Sequence, residues 1–188
     1  TGLRASERAK RGIGRAFQIT NLFPNLTVRE NVRLAVQAKS RAAANLWSRA
    51  SQHRELIARA DQFLDEVALL EKAHLTAAAL PHGDKRKLEV ALMMALEPHV
   101  FMFDEPTAGM SVDEAPVVLD LIARLKKDTS KIILLVEHKM DVVRSLADRI
   151  IVLTNGACVA DGDPATVIAS PVVQEAYLGV APKQKAAV

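Results

Sequence analysis

Two groups of polar residues follow directly on apolar segments, and they have the residue types that metal-assisted hydrolysis needs. Asp104 and Glu105 come after the apolar segment Val100–Phe103, and His138 lies just beyond Ile132–Val136. In such a set, one carboxylate can hold a divalent cation while the next orients or deprotonates an attacking water. The alternative, which the acidic pair alone leaves open, is that these carboxylates only cap the turn after the strand.

Parallel strands are the elements best suited to position these residues. Both apolar segments are short and continuous, which is typical of strands buried on both faces. Helical spacing of apolar residues lies between them at Val117–Leu125, and a third apolar segment, Arg149–Leu153, follows a helix predicted around Asp141–Ala147. This alternation indicates parallel βαβ units. Because ligands of such sheets bind beyond the carboxyl ends of the strands, we expect the two carboxylates and the imidazole to converge at one edge.

The residues before this part are predicted to be mainly helical. Arg11–Phe17 is a short segment that predicts a strand ending at Gln18. Thr27–Glu30 fits a capping box, in which two side chains satisfy free N–H groups of the first turn, so a helix should begin there. Apolar residues keep helical spacing towards Ala73, with a break predicted near Trp47.

The end of the chain predicts one hairpin and two helices. Asn155-Gly156 is a hairpin-turn signal, so Ala157–Ala160 should return antiparallel to the strand before it. Helices are predicted over Pro164–Ala169 and Val172–Leu178. The predicted fold class is therefore α/β, with a parallel sheet that carries a helical insertion.

The composition excludes several classes of protein. The chain has 188 residues, of which 49% are apolar and 25% charged, a mixture typical of globular domains rather than disordered chains. Only five Phe, one Trp and one Tyr are present, which disfavours a protein that stacks aromatic rings on single-stranded nucleic acid. The net charge of +3 is scattered along the chain and specifies no polyanionic partner. Cys158 is the single cysteine, so no internal disulfide can form.

Four segments in fixed order resemble the motifs of ABC-type ATPases. Phe103–Met110 resembles the Walker B and D-loop segment, and Leu80–Ala91 lies where that family has its LSGGQ signature followed by a helix. His138 resembles the switch histidine, and Phe17-Gln18 the Q-loop. The resemblance extends over nearly the whole chain and implies a P-loop NTPase-like ABC ATPase core with a helical subdomain.

Three short segments resemble a narrower group within that family. Thr1–Leu3, Leu22–Thr27 and Glu175–Gly179 are similar to the ATP-binding subunits of branched-chain amino acid importers and their urea-type relatives. Tyr177-Leu178-Gly179 is the most specific of these, although taken alone it is an ordinary helix end with a glycine cap.

The resemblance implies a division into four parts. Residues 1–26 would end the N-terminal core part with the Q-loop, and residues 27–97 would form the helical subdomain with the signature helix. Residues 98–180 would form the RecA-like α/β core with Walker B, D-loop and H-loop, followed by a flexible tail over 181–188.

The same resemblance assigns ATP and Mg²⁺ as cofactors and gives individual residues their roles. Asp104 would hold Mg²⁺, mostly through water, and Glu105 would polarise the hydrolytic water. His138 would contact the γ-phosphate, and Gln18 would reach the metal and couple the site to the membrane subunit. Taken alone, a Gln after a strand is usually a surface residue, and a His at a strand end is usually a hydrogen-bonded structural residue.

The signature segment, Leu80–Asp84, departs from the family pattern. Leu80 and Gly83 match, but Pro81 replaces the usual Ser, His82 the middle Gly and Asp84 the final Gln. In the family, this segment binds the ATP held by the opposite subunit. Because Pro81 has neither a hydroxyl nor an N–H group, one contact should be lost, and activation of the opposite site is open to question.

Two further expectations concern helix starts. Asp84 would be a good N-cap for a helix beginning near it, whose N-terminus suits an anion. Lys85–Lys87 would then crowd that positive end, which is mildly unfavourable unless an anion or an acidic surface faces them. The alternative is that they form a solvated face balanced by Glu89. Ser111 stands where many D-loops have Asp, and could cap the next helix together with Glu114, although Pro116 favours a start nearer Asp113.

One motif of the family is missing from these residues. No glycine is followed by lysine, so the phosphate-binding loop G-x-x-x-x-G-K-S/T is absent, and Gly12-Ile-Gly14 cannot replace it. Together with the start at Thr1 without Met, this leads us to expect an N-terminally truncated ABC ATPase that is inactive alone. The resemblance implies a second ATP-binding subunit, membrane permease subunits and a peripheral place at the cytoplasmic face of the membrane.

The sequence leaves three functional hypotheses to be compared. The first is the ATPase subunit of an importer for branched-chain amino acids or a related polar solute. The second is a non-catalytic interaction module, which Pro81 and the missing loop favour and which Asp104, Glu105 and His138 oppose. The third is a DNA-associated ABC-type ATPase, which the scattered charge and few aromatic residues disfavour. We predict no nucleic-acid partner, and the histidines show no metal-ligand spacing with Cys158.

Overall fold

The computed structural model describes residues 2–15, 22–39 and 54–178. The chain divides into two compact units, Thr1–Val136 and Glu137–Val188. Within the described part of the chain, no helix is both long enough and apolar enough to cross a membrane.

In the part of the first unit that the structure describes, three strands form a parallel sheet. Its strands are β1 (Ile13–Arg15), β2 (Val100–Asp104) and β3 (Ile132–Val136), in the order β1-β2-β3. β2 is the central strand, and the rings of Phe101 and Phe103 are buried and stacked with their centroids 6.1 Å apart. The predicted parallel α/β arrangement of the second and third of these strands is confirmed. β1 begins at Ile13, two residues later than the strand predicted over residues 11–17, and residues 16–17 lie outside the described residues.

Glycines let β1 lie close to the segment that leads into β2. A Cβ atom on Gly14 would come within 2.7 Å of Pro98 Cγ and 3.2 Å of Met93 Cγ. Gly12 has a φ of +83°, and its carbonyl accepts hydrogen bonds from the N–H groups of His99 and Val100. These two glycines therefore serve backbone packing in this part of the structure.

The described residues of the first unit form five α-helices. They are α1 (Ala5–Lys10), α2 (Val28–Lys39), α3 (Arg54–Glu66), α4 (His82–Ala95) and α5 (Ala115–Lys126). The predicted start of α2 is confirmed: the N–H of Glu30 donates to Thr27 Oγ1 at 3.1 Å, while the Glu30 carboxylate accepts from Arg33 Nε at 2.9 Å. The break predicted at Trp47 lies outside the described residues.

Aliphatic side chains from α2, α3 and α4 form the core of the helical part. The fully buried ones include Val28, Val32, Ala60, Leu64 and Leu88. The helical spacing of apolar residues predicted towards Ala73 includes the buried α3 residues Ala60, Phe63 and Leu64, as expected for the covered face of an amphipathic helix.

β3 is less buried than its sequence predicts. Ile132, Leu134 and Val136 are 64%, 47% and 53% exposed, so the expectation of a strand buried on both faces is wrong here. Among the described residues, β3 is the outer strand of its sheet and pairs only with β2. A continuous apolar segment indicates which residues can be buried, but the packing of neighbouring elements determines whether both faces are covered.

As far as residue 178, the second unit contains a two-stranded antiparallel sheet and three α-helices. Its elements are α6 (Met140–Leu146), β4 (Ile150–Thr154), β5 (Ala157–Gly162), α7 (Pro164–Ala169) and α8 (Pro171–Leu178). Asn155 and Gly156 form the turn between β4 and β5 with φ values of +50° and +78°, which confirms the predicted hairpin. The core of this unit is a cluster of Ile150, Val152, Val167, Ile168 and Val173.

β4 corrects one part of the predicted topology. The segment over residues 149–153 was expected to be a third parallel strand of the βαβ series, but β4 pairs antiparallel with β5 in a sheet of its own. Ile150 and Val152 are buried while Ile151 and Leu153 are 54% and 61% exposed. An apolar segment of this kind does not reveal by its composition whether its strand is parallel or antiparallel.

Candidate functional site

Asp104 lies at the carboxyl end of the central strand β2. Its register partner is Val136, the last residue of β3, so both strands end at the same edge. The Asp104 side chain is 29% exposed, and Arg15 Nη2 lies 3.4 Å from Asp104 Oδ2. This carboxylate is therefore accessible at the edge where ligands of parallel sheets bind.

Glu105 takes a backbone conformation that is unusual for its residue type. Its φ is +47°, in the left-handed region that costs a non-glycine residue about 1 kcal/mol. Its N–H donates to the carbonyl of Val136 at 3.0 Å, and its own carbonyl accepts from the N–H of Ala108 at 3.0 Å. The surrounding hydrogen bonds thus hold Glu105 at a sharp turn immediately after the strand, a setting that is common at functional sites.

Asp104 has the chemistry of a magnesium ligand. Mg²⁺ is usually bound by one or two carboxylates, with waters and substrate phosphates completing its coordination. No group of three or more His, Cys, Asp or Glu side chains that could hold a metal occurs among the described residues. A single accessible carboxylate beside Glu105 fits an ion shared with a phosphate ligand. Gln18, the other predicted ligand, lies outside the described residues.

His138 belongs to the second unit. It is exposed, and it lies two residues beyond the end of β3 and one residue before Lys139, which precedes the first turn of α6. The expected convergence of His138 with Asp104 and Glu105 stays a prediction.

The signature helix begins earlier than expected. α4 starts at His82 with Pro81 as its N-cap, and the carbonyl of Pro81 accepts from the N–H of Lys85 at 3.0 Å. The prediction of Asp84 as N-cap is therefore wrong. Pro81 is tolerated at the N-cap because an N–H group at this position would have no partner within the helix. Its backbone is extended, with ψ at 163°.

The side chain of Asp84 is buried between two lysines. Asp84 Oδ2 accepts a hydrogen bond from Lys72 Nζ, and Lys87 Nζ lies 3.2 Å from Asp84 Oδ1. Burial raises the pKa of Asp84, but the hydrogen bonds and positive charges of both lysines lower it more, so the pKa lies below its usual value. Asp84 is therefore ionised at neutral pH in spite of its burial.

The basic residues at the start of α4 are not solvated. Arg86 and Lys87 are each 8% exposed, so the alternative of a solvated face is wrong for them. Glu89 does balance Arg86, whose Nη1 lies 2.9 Å from Glu89 Oε2. Lys87 is balanced by Asp84 and lies 3.9 Å from Glu114 Oε1.

The rest of the signature segment presents a mixed surface. Leu80 and Gly83 are buried, whereas Pro81 and His82 are exposed. His82 and Gly83 are the first two helical residues, so their N–H groups lie among those that have no partner within the helix. This helix end has the backbone groups and the dipole direction that attract an anion.

The D-loop, here Gly109–Glu114, packs against the signature segment. A Cβ atom on Gly109, whose φ is +71°, would lie 2.8 Å from His82 Nε2. Ser111 and Glu114 bond reciprocally: the N–H of Ser111 donates to Glu114 Oε2 at 3.0 Å, and the N–H of Glu114 donates to Ser111 Oγ at 3.3 Å. α5 begins one residue later, at Ala115, so the bonding pair predicted from the sequence forms in the turn before the helix.

Comparison with known proteins decides the family of this arrangement. The family model described as ABC transporter matches residues 3–108, which is more than half of the 188 residues. The chain belongs to the ABC transporter ATPase family. A second model, described as branched-chain amino acid ATP-binding cassette transporter, matches residues 158–182 of this ABC ATPase.

Individual relatives agree with the two models. This ABC ATPase is 38% identical to the high-affinity branched-chain amino acid transport ATP-binding protein LivG of Escherichia coli, over 96% of this chain and 72% of LivG. It is 36% identical to BraF, the protein of the same description from Pseudomonas aeruginosa, over the same shares of the two chains. Among solved structures, a dimeric ATP-binding cassette in a post-hydrolysis state, bound to ADP and Pi, has a TM-score of 0.74 at 27% identity, covering 87% of this chain and 68% of that one.

These findings confirm the predicted family, the ABC ATPase fold and the class of transport ATPase. In this ABC ATPase, the motif residues also have charged partners that the sequence did not reveal. Arg15 beside Asp104 and Lys72 beside Asp84 are the clearest cases. The sequence does not reveal Arg15, because it predicts a strand that ends at Gln18, whereas Arg15 pairs with Met102 of β2. It does not reveal Lys72 either, because the approach of Lys72 to α4 depends on tertiary packing.

Proposed function

We propose that this chain is the ATP-hydrolysing subunit of an importer for branched-chain amino acids or a related polar solute. The single observation that carries the catalytic part is the acidic pair at the end of β2, where Asp104 is accessible and Glu105 is held in a left-handed turn. The solute class is supported by the role of LivG and BraF in branched-chain amino acid transport and by the match over residues 158–182.

Each residue at the strand ends then has a chemical role. Asp104 holds Mg²⁺, mostly through water, and the ion when bound neutralises charge on the phosphates of ATP. Glu105 orients the attacking water and accepts its proton. His138 would contact the γ-phosphate, and Gln18 would reach the metal and couple the site to the membrane subunit.

The signature segment and the D-loop act on the ATP of a second ATP-binding subunit. Leu80, Pro81, His82, Gly83 and Asp84 would form the surface that meets this nucleotide. Because Pro81 has no hydroxyl and Asp84 is bound to Lys72 and Lys87, the attraction for phosphate comes from the N-terminus of α4. Ser111 of the D-loop adds a hydroxyl to the same interface.

The assembled protein would include membrane permease subunits, on which this ATPase lies at the cytoplasmic face. The dimeric cassette of similar fold supports a pairing of two ATP-binding subunits. No observation in the chain favours a nucleic-acid partner, since its charge is scattered and small for its length.

The test is the Glu105→Gln variant of the full-length protein that carries these residues together with a G-x-x-x-x-G-K-S/T loop, assembled with its permease subunits in vesicles. Removing the base while keeping the shape of the side chain should lower the ATP hydrolysis rate at least about 100-fold and leave ATP binding intact. Glu55→Gln, at an exposed site in the first turn of α3, is the matched control and should hydrolyse ATP normally. Uptake of labelled leucine, with and without competing polar solutes, tests the solute class.

A non-catalytic interaction module is the second candidate. Pro81 in the signature and the absence of the G-x-x-x-x-G-K-S/T loop from these residues favour it. An unchanged hydrolysis rate in the Glu105→Gln transporter would contradict the catalytic proposal and support this alternative.

A further inference from the structure

Glu114 contacts both the D-loop and the signature helix α4. The function proposed above assigns no role to this residue. Its carboxylate closes the D-loop turn by accepting the N–H of Ser111 at 3.0 Å. The side chain is only 29% exposed, although the residue precedes the first turn of α5. Its remaining contacts reach across to α4.

The Glu114 carboxylate occupies the space beside Gly83 of the signature segment. A Cβ atom on Gly83 would lie 2.3 Å from Glu114 Oε2 and 2.6 Å from both Cδ and Oε1. No real side chain tolerates such a contact, so any residue other than glycine at this position would have to displace the carboxylate. Gly83 therefore serves the approach of the D-loop to α4.

Lys87 joins the two motifs electrostatically. Its Nζ atom lies 3.2 Å from Asp84 Oδ1 and 3.9 Å from Glu114 Oε1, and its side chain is 10% exposed. Lys72 bonds to the other oxygen of Asp84. The cluster contains two cations and two anions, so its charges balance, and a buried ammonium group requires such partners.

We propose that Glu114 is a positioning residue that ties the D-loop to the signature helix through Gly83 and Lys87. This inference rests on the proposed function, in which both motifs meet the nucleotide of the opposite subunit. A fixed distance between them would let the two motifs reach that nucleotide together. His82 packing on Gly109 is a second contact between the same two motifs.

The first test measures whether a change in one motif reaches the other. Hydrogen exchange is followed in the 188-residue chain for the amides of residues 82–87 and 109–114. Lys87→Met, which changes only α4, should speed exchange in the D-loop about fivefold, because an ion pair of this kind has a modest energy. Glu114→Gln, which keeps an acceptor for Ser111, should speed exchange at the start of α4 by a similar factor. Changes confined to the mutated motif would overturn the proposal.

Two further variants separate coupling from a loss of folding. Gly83→Ala leaves every charge in place and should produce the same D-loop exchange as Lys87→Met, since its methyl group displaces the Glu114 carboxylate. Lys87→Arg keeps the cation and should restore slow exchange. Slow D-loop exchange in Gly83→Ala, or fast exchange in Lys87→Arg, would contradict the proposed bridge. Glu55→Gln is the control for a neutral change at an exposed helix site.

The second test uses ATP hydrolysis by the assembled transporter. Glu114→Gln should lower kcat on the order of tenfold and leave KM for ATP nearly unchanged, because the motifs are misplaced while each subunit still binds its own nucleotide. The Lys87→Met/Glu114→Gln double variant should be no slower than the slower single variant, since both remove one bridge. Additive losses would refute the bridge. An unmodified transporter that does not hydrolyse ATP would instead refute the proposed function, while the exchange test would still decide the bridge.

Discussion

The backbone N–H of Glu105 donates a 3.0 Å hydrogen bond to the carbonyl of Val136, which fastens the turn after β2 to the end of β3. The bond continues the pairing of the two strands by one residue beyond Asp104. This hydrogen bond holds Glu105 at a positive φ. The sheet therefore fixes the backbone position from which the Glu105 side chain extends.

The positive φ of Glu105 makes a prediction about stability. Glu105→Gly and Glu105→Ala both remove the side chain, but glycine adopts a φ of +47° without the clash that a Cβ atom causes. The glycine variant of the 188-residue chain should therefore be more stable than the alanine variant by about 1 kcal/mol. Urea unfolding measures the difference. Equal stabilities would mean that the turn relaxes when the side chain is shortened.

The ion pairs of Asp84 make a prediction about pH. Asp84→Asn should destabilise the chain by about 3 kcal/mol at pH 7, because it leaves buried Lys87 with too few partners. The pKa of Asp84 in the folded chain lies below 3.8, the ordinary value for this carboxyl group, so its ionisation stabilises the fold above that pH and this stability is lost as the pH falls through the folded pKa. Unfolding curves should show wild type and variant converging only below about pH 4.

A control at an exposed site makes the Asp84 result specific. Asp120 lies on α5 and is exposed, so Asp120→Asn should change the free energy of unfolding by less than about 0.5 kcal/mol at any pH. A constant difference between wild type and Asp84→Asn from pH 7 to pH 3 would show that ionisation of Asp84 does not contribute to stability.

Close packing around β1 gives a third prediction. Gly14→Ala should destabilise the chain by about 1–3 kcal/mol, since its Cβ atom would lie 2.7 Å from Pro98 Cγ and both elements would have to move apart. Gly2→Ala is the matched control, because nothing lies within 4 Å of its Cβ position. Thermal unfolding of the two variants compares them directly, and a stable Gly14→Ala chain would disprove the close approach.

The missing phosphate-binding loop gives a fourth prediction. The 188-residue chain should bind ATP weakly or not at all, because the amides and lysine of G-x-x-x-x-G-K-S/T supply most of the contacts to the β- and γ-phosphates. Isothermal titration calorimetry on this chain measures the affinity. A sub-micromolar Kd would show that other residues can replace the loop.

The sequence predicts the fold where a local pattern determines the outcome. The continuous apolar segments gave β2 and β3, and Thr27 located the start of α2 because a side-chain cap is a local contact. β4 was assigned to the wrong sheet because Ile150–Leu153 is apolar on both faces although only one is buried. Pairing between strands depends on residues far apart in the chain, which the composition of one strand does not encode.

The candidate site divides in the same way. Asp104 and Glu105 were predicted from the end of an apolar strand, but the positive φ of Glu105 was not, because it depends on the bond to Val136. The start of α4 was misjudged because Pro81 caps the helix without a side-chain acceptor. Burial of Lys87 could not be predicted either, since the sequence of α4 alone does not show how closely Glu114 approaches this helix.

The closeness of Gly83 and Glu114 also limits how this protein can change over evolutionary time. A larger residue at position 83 could be accepted only together with a shorter one at position 114, because the Glu114 carboxylate lies where the new side chain would begin. A single substitution at either position would give a less fit protein, in which position 83 clashes with Glu114 or the contacts of Glu114 are lost. The two positions should therefore be inherited as a pair, and related sequences that lack Gly83 should also lack Glu114.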